Sequence, residues 1–315
     1  MSKLHISIVQ FLNTAPLVWG FTNGPLQGRY DLSFTVPSLC AEALRAGNAD
    51  IAIIPAVEYQ RIDGLVIAPE MAIAAKGEVR SILVLAKKPI ESARTIALDT
   101  DSRSSVALTR LLCRGLWGIA PTFIDAAPDP AAMLAQADAA LLIGDPALSV
   151  RLKVDALAAA RSSGARTAGN DKECCGGEPG EPLIQGVDSL YVYDVAEQWR
   201  KMTGKPCVLA VWAARREALA PEVLADFQAS KQYGLSHIDE IAEDAALSLD
   251  MPPRYLGTYL RENIDFSLDE DNLSGLRHYF DLCAAAGLIP SARPIEFAEM
   301  PEHAMARQSR AEGKR

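Results

Sequence analysis

Histidine is scarce in this 315-residue chain: His5, His237, His278 and His303 are scattered, and none stands at the end of an apolar run. The sequence has no H-E-x-x-H pair, no G-x-S-x-G elbow, no Walker loop and no G-x-G-x-x-G turn. Those absences leave out the zinc hydrolase, serine hydrolase, phosphate-loop and dinucleotide-binding chemistries. The cysteines are Cys40, Cys113, Cys174, Cys175, Cys207 and Cys283, and only Cys174 and Cys175 are close in sequence. Being adjacent, that pair fits neither a C-x-x-C redox site nor a zinc knuckle. The other cysteines read as buried thiols, and neither a metal nor a cofactor is expected.

Positive charge is also short, with 31 Lys and Arg against 40 Asp and Glu for a net charge of −9. A chain with that balance has no surplus of cations to neutralise phosphates, so nucleic acid and anionic membrane are not expected partners. A small anion, needing only a local pocket, remains open. No apolar run reaches the length of a membrane span. The opening residues 1–10 alternate apolar with polar and lack a signal-peptide core, so a cytoplasmic protein is expected.

What the sequence does have is alternation of strand and helix patterns, long enough for two lobes. Strands are expected near 4–9, 31–36 and 50–54, with helices near 14–21 and 38–46 between them; Ser38 is a natural cap and Gly47 a natural stop. A second set follows, with strands near 81–86, 94–98, 122–124 and 138–143 and helices near 102–116 and 130–137. Further strands are read at 190–195 and 208–212. The last third is helix-rich, over 221–234, 236–249, 252–263 and 269–287. Residues 162–186 are rich in glycine and poor in apolar residues, which reads as a long surface loop, and the polar tail after 301 reads as flexible.

In an open α/β sheet, ligands bind beyond the strand tips, where loops and helix N-termini supply donors. The tips here carry Leu12, Asn13 and Thr14, then Pro37 and Ser38, then Pro55, then Arg80 and Ser81, then residues 100–105, then Gly144 and Asp145. They are rich in hydroxyls and amides and poor in free acids and bases. Such a set suits recognition of carboxylates and hydroxyls better than acid–base chemistry. Arg103, Ser104 and Ser105 at the start of a helix form the best anion site, since the dipole and free N–H groups there favour negative charge. Each feature also has a plainer reading: Ser102, Asn13 and Asp145 can each be only a helix cap.

Taken together, these segments resemble a known family. The segments 11–17 (FLNTAPL), 50–59 (DIAIIPAVEY), 79–83 (VRSIL), 102–108 (SRSSVAL), 139–148 (AALLIGDPAL) and 259–264 (YLRENI) are similar to those of the chorismate dehydratases of the futalosine route to menaquinone. The resemblance runs through most of residues 4–297, and the 162–186 loop departs from it. It implies an α/β, type II periplasmic-binding-protein-like fold, with two α/β lobes and a ligand cleft between them. Lobe 1 would comprise 1–86 plus 207–300, and lobe 2 would comprise 89–200, with crossings near 86–89 and 201–207. It also implies Asn13 and Ser81 as the catalytic pair. Leu12, Thr14, Ser38, Pro55, Arg103, Ser104, Ser105, Gly144 and Asp145 are then expected to bind substrate.

The expected reaction removes water across C3 and C4 of chorismate and gives 3-[(1-carboxyvinyl)oxy]benzoate. The base would be the substrate's own side-chain carboxylate, with Asp145 and Glu58 as fallback bases. Alternatives are the 1,4-dihydroxy-6-naphthoate synthase of the same pathway, which is expected to need a histidine base, and a non-catalytic small-anion binding protein. A LysR-type effector domain is a further alternative, but no helix-turn-helix precedes residue 4.

Overall fold

The computed structural model describes residues 3–162, 184 and 190–299. The expected loop over 162–186, apart from its residues 162 and 184, lies outside the described residues, as do Cys174, Cys175, His303 and the tail at 301–315. Among the described residues ten strands build two five-stranded sheets.

The first sheet begins with β1 (His5–Val9), α1 (Ala15–Thr22), β2 (Asp31–Thr35), α2 (Pro37–Ala46), β3 (Ile51–Pro55), α3 (Ala56–Arg61) and β4 (Leu65–Ala75). β1 pairs parallel to β2 and β3. β3 is buried at every position, the pattern of a strand covered on both faces. α2 starts with Pro37 in its first turn rather than with a Ser38 cap, and it ends on Gly47, whose φ of 73° is the left-handed C-cap geometry. β4 is the strand that sequence patterning does not reveal. Pro69 interrupts its apolar run and Glu70 turns to φ 62°, a break that an edge strand tolerates because its outer N–H groups need no ladder partner.

The chain then crosses to the second sheet, which takes β5 (Ile82–Ala86), β6 (Thr95–Asp99), α4 (Arg103–Gly115), β7 (Thr122–Ala126), α5 (Pro130–Gln136), β8 (Ala139–Ile143), α6 (Gly144–Ser162), β9 (Tyr191–Asp194) and α7 (Val195–Thr203). Its order is β7-β6-β8-β5-β9. The expected lobe boundary near residue 86 is therefore corrected. β5 pairs antiparallel with β8 and β9 inside the second sheet, so the first crossing falls between Ala75 and Ile82. An apolar run records that a strand is buried, not which sheet buries it.

The chain returns in β10 (Cys207–Arg215), which runs antiparallel between β3 and β4 and gives the first sheet the order β2-β1-β3-β10-β4. Then follow α8 (Pro221–Ser236), α9 (Ile238–Leu249), α10 (Pro253–Thr258), a π-helical turn (Tyr259–Asn263) and α11 (Glu270–Ala285). α8 packs on α1 so closely that a Cβ on Gly234 would lie 2.0 Å from the Pro16 carbonyl oxygen.

Alternation along β5 separates two cores. Val84 and Ala86 join the large core that continues into the first sheet, whereas Leu83 and Leu85 join a smaller cluster with Met133 and Leu134 on the outer face. The free cysteines Cys40, Cys113, Cys207 and Cys283 are buried, as their apolar neighbourhoods imply. Among the described residues no helix is long and apolar enough to cross a membrane.

Candidate functional site

Between the sheets lies a narrow cleft enclosing about 40 Å³. Asn13, Pro37 and Pro55 line it from the first sheet's strand ends, and Ser81, Ser102, Ser105 and Gly144 line it from the second side. Its walls are otherwise apolar, with Val9, Ile73, Ile82, Ile143 and Leu209. Because β5 is antiparallel to β8, Ser81, the residue just before β5, stands beside the C-terminal tip of β8. The Gly144 N–H donates to the Ser81 carbonyl oxygen at 2.8 Å. Ser81 thereby joins the ligand edge although it precedes its strand.

Asn13 sits in a short 3-10 turn (Leu12–Thr14) between β1 and α1. Its neighbours support it from two sides. The Thr14 hydroxyl donates to Asn13 Oδ1 at 3.4 Å, and the Leu12 N–H donates to Asp145 Oδ1 at 3.1 Å across the cleft. Leu12, Thr14 and Asp145 thus build the wall rather than face the space. Burial raises the Asp145 carboxyl to about 6, partly opposed by the Leu12 N–H. Gly144 is held at φ 67°, and a Cβ there would meet the Phe11 ring at 2.7 Å. Glycine is needed at this tip on both counts.

Ser81 is 1% exposed and follows a strained turn where the chain passes from the first sheet to the second. Arg80 has φ 64°, and the buried Asp194 carboxylate takes the Val79 N–H at 3.1 Å and the Arg80 N–H at 2.6 Å. The same carboxylate caps α7 through the Ala196 and Glu197 N–H groups. Over this turn sits a residue that sequence reading did not single out. Tyr259, 1% exposed, donates its hydroxyl to Ser81 Oγ at 2.8 Å. The available signal was a lone aromatic with a polar tip opening the segment 259–264.

The start of α4 divides by face. Ser102 caps the helix, its Oγ accepting from the Ser105 N–H at 3.4 Å and from the Ser105 hydroxyl at 3.0 Å, and both serines line the cleft. Arg103 and Ser104 turn the other way, which corrects the expectation that they hold a substrate carboxylate. Arg103 pairs with Glu42 at 2.7 Å and Glu58 at 2.9 Å, and Ser104 Oγ accepts the Val57 N–H at 3.2 Å. Successive helical residues point about 100° apart, so three in a row cannot share one ligand. Ser38 uses its backbone N–H to bond the Asp101 carbonyl oxygen at 2.8 Å.

Glu58 is fully buried and also receives Arg45 at 2.5 Å and Arg61 at 2.8 Å. With three guanidinium partners it is a structural counter-ion and does not open into the cleft. The described histidines are elsewhere. His5 bonds the Asn48 carbonyl and Ser33, His237 stacks on Tyr233, and His278 lies against Trp199. Among the described residues no group of three or more His, Cys, Asp or Glu could hold a metal ion.

Residues 4–161 and 183–285 match the family model described as menaquinone biosynthesis. The chain belongs to the menaquinone biosynthesis family. Within reach of this family is the chorismate dehydratase of Thermus thermophilus, 27% identical over 281 residues, covering 89% of this chain and 94% of that one. The fold is shared more widely. Protein AF1704 from Archaeoglobus fulgidus superposes with a TM-score of 0.65 at 16% identity, over 91% of this chain and 98% of that one. The periplasmic aliphatic sulphonate binding protein SsuA from Escherichia coli does so with a TM-score of 0.56 at 16% identity, over 93% and 95%. This member of the menaquinone biosynthesis family is therefore of the α/β, periplasmic-binding-protein-like fold.

Proposed function

We propose that the protein is a carbon–oxygen lyase that dehydrates chorismate to 3-[(1-carboxyvinyl)oxy]benzoate, in menaquinone biosynthesis by the futalosine route, with Asn13 and Ser81 at the reacting end of the cleft. The observation that carries the reading is their convergence. An amide from the first sheet and a hydroxyl from the crossing between the sheets line one buried, acid-poor space, in a chain with a chorismate dehydratase relative along nearly its full length. The same reading carries a cytoplasmic location and chorismate as the small-molecule partner.

Elimination breaks the C3–H and C4–O bonds, and aromatisation drives it. The C3 proton is acidic only if charge spreads through the diene onto the ring carboxylate, so donors aimed at that carboxylate lower the barrier. The Ser102 hydroxyl, oriented by Ser105 at the positive end of the 13-residue α4, supplies one. Neutral Asn13 and Ser81 orient the departing hydroxyl. Glu58 is saturated by arginines and Asp145 is engaged with the Leu12 N–H, so the substrate's side-chain carboxylate takes the C3 proton. No histidine among the described residues lines the cleft, which disfavours a histidine-dependent relative of the pathway.

The test is incubation of purified protein with chorismate, following loss of water by mass and the aromatic product by absorbance. Turnover is expected, and Asn13→Ala or Ser81→Ala should each lower kcat about 10²-fold, the scale for losing one preorganised donor. No water loss, together with tight binding of another anion, would sink the proposal in favour of a binding protein.

A further inference from the structure

The hydroxyl of Ser81 is not free to choose its direction. We propose that Tyr259 is a positioning residue that occupies one lone pair of Ser81 Oγ and so fixes the serine as a donor toward the leaving hydroxyl of the substrate; this rests on the function proposed above. A serine hydroxyl has one proton and two acceptor sites. The Tyr259 O–H fills one acceptor site at 2.8 Å. Among the described residues the serine's own proton has only the Val79 carbonyl oxygen, at 3.4 Å, as a partner. That contact is at the limit of hydrogen bonding, so little is lost when the proton turns to a ligand.

Three features hold the arrangement. The Arg80 turn, anchored through Asp194, sets where Ser81 Oγ lies. Tyr259 opens a π-helical turn at the end of α10, a geometry that rotates a side chain off the α-helical face and recurs at functional sites. Burial keeps the phenol protonated far above its ordinary range, with the Ser81 and Asn13 side chains opposing that shift only in part. It is thus a donor at every working pH and does not itself give up a proton. When the C4–O bond breaks, the electron pair stays on the departing oxygen. Ser81 hydrogen-bonds that oxygen, and the C3 proton taken up by the substrate carboxylate is passed to it, so that the group leaves as water.

Tyr259→Phe is expected to lower kcat about 10–100-fold with KM within about threefold. In a Ser81→Ala background the same change should add less than about twofold, because its effect passes through the serine. A fluorotyrosine at 259 keeps the donor and should retain at least about half the wild-type kcat. A ligand-free crystal structure of Tyr259→Phe should show Ser81 Oγ in more than one rotamer. An unchanged single rotamer, an equal kcat loss in the Ser81→Ala background, or a fluorotyrosine as impaired as phenylalanine would each overturn the proposal. The rotamer is read without substrate, so wild-type protein inactive on chorismate would sink the functional reading and still leave decided whether Tyr259 fixes Ser81.

Discussion

Two buried polar clusters sit between the sheets, and they are built on opposite principles. Around Glu58, three guanidiniums and a second carboxylate from Glu42 satisfy one another nearly completely. Around Ser81, an amide, a phenol and a hydroxyl leave hydrogen-bonding capacity unspent. α4 contributes to both, Arg103 and Ser104 to the first and Ser102 and Ser105 to the space beside the second. The comparison teaches that charge inside this fold serves to tie segments together. Neutral groups with spare donors are what remain for a ligand, since a buried ion with spare capacity would cost too much.

Removing the ionic hub is the harshest way to break that division. Glu58→Gln removes the carboxylate that three part-exposed arginines share, and urea unfolding should show a loss of about 1–3 kcal/mol, with turnover per folded molecule within a few-fold of wild type. Abolished turnover in folded protein would end the distinction between strut and site. The two faces of α4 give a finer contrast. Ser104→Ala leaves the Val57 N–H buried without a partner and should cost about 1–2 kcal/mol. Ser105→Ala should cost under about 1 kcal/mol yet raise KM about tenfold, because it releases the Ser102 hydroxyl that would meet a charged group. Equal behaviour of the two variants would erase the comparison.

The smallest effect expected is a pH slope. Asp145 and Asp99 are both lifted by burial to about 6. A carboxyl raised in the folded state holds a proton that the unfolded chain has released. Its stabilising contribution is therefore complete below about pH 4 and lost as pH rises through about 6. Asp145→Asn should flatten part of that slope in denaturation midpoints measured from pH 4 to 7, leaving the share due to Asp99 and to Asp101 and Asp194, which burial also raises. An unaltered slope would mean that Asp145 titrates normally.

Strands such as β3 and β8 were legible because apolar residues without interruption leave little choice. β4 was not, since Pro69 and Glu70 break its pattern, and the sheet owning β5 was not, since partners are absent from a one-dimensional signal. Asn13 and Ser81 entered through resemblance and do line the cleft. Arg103, Ser104 and Ser105 read as one anion site in the sequence, although helical spacing separates Ser105 from Arg103 and Ser104. Tyr259 lay 178 residues from its partner, and a π-helical turn has no sequence signature to announce it.

The placement of β10 has a consequence for how the chain is made. Every strand of the second sheet, from β5 to β9, is translated before Cys207–Arg215, the strand that lies between β3 and β4. During synthesis the second lobe is contiguous and can close on itself, whereas the first waits with the facing edges of β3 and β4 unpaired. Such edges are sites of mispairing, so a nascent chain stalled before residue 207 exposes an aggregation-prone template that the finished protein does not have.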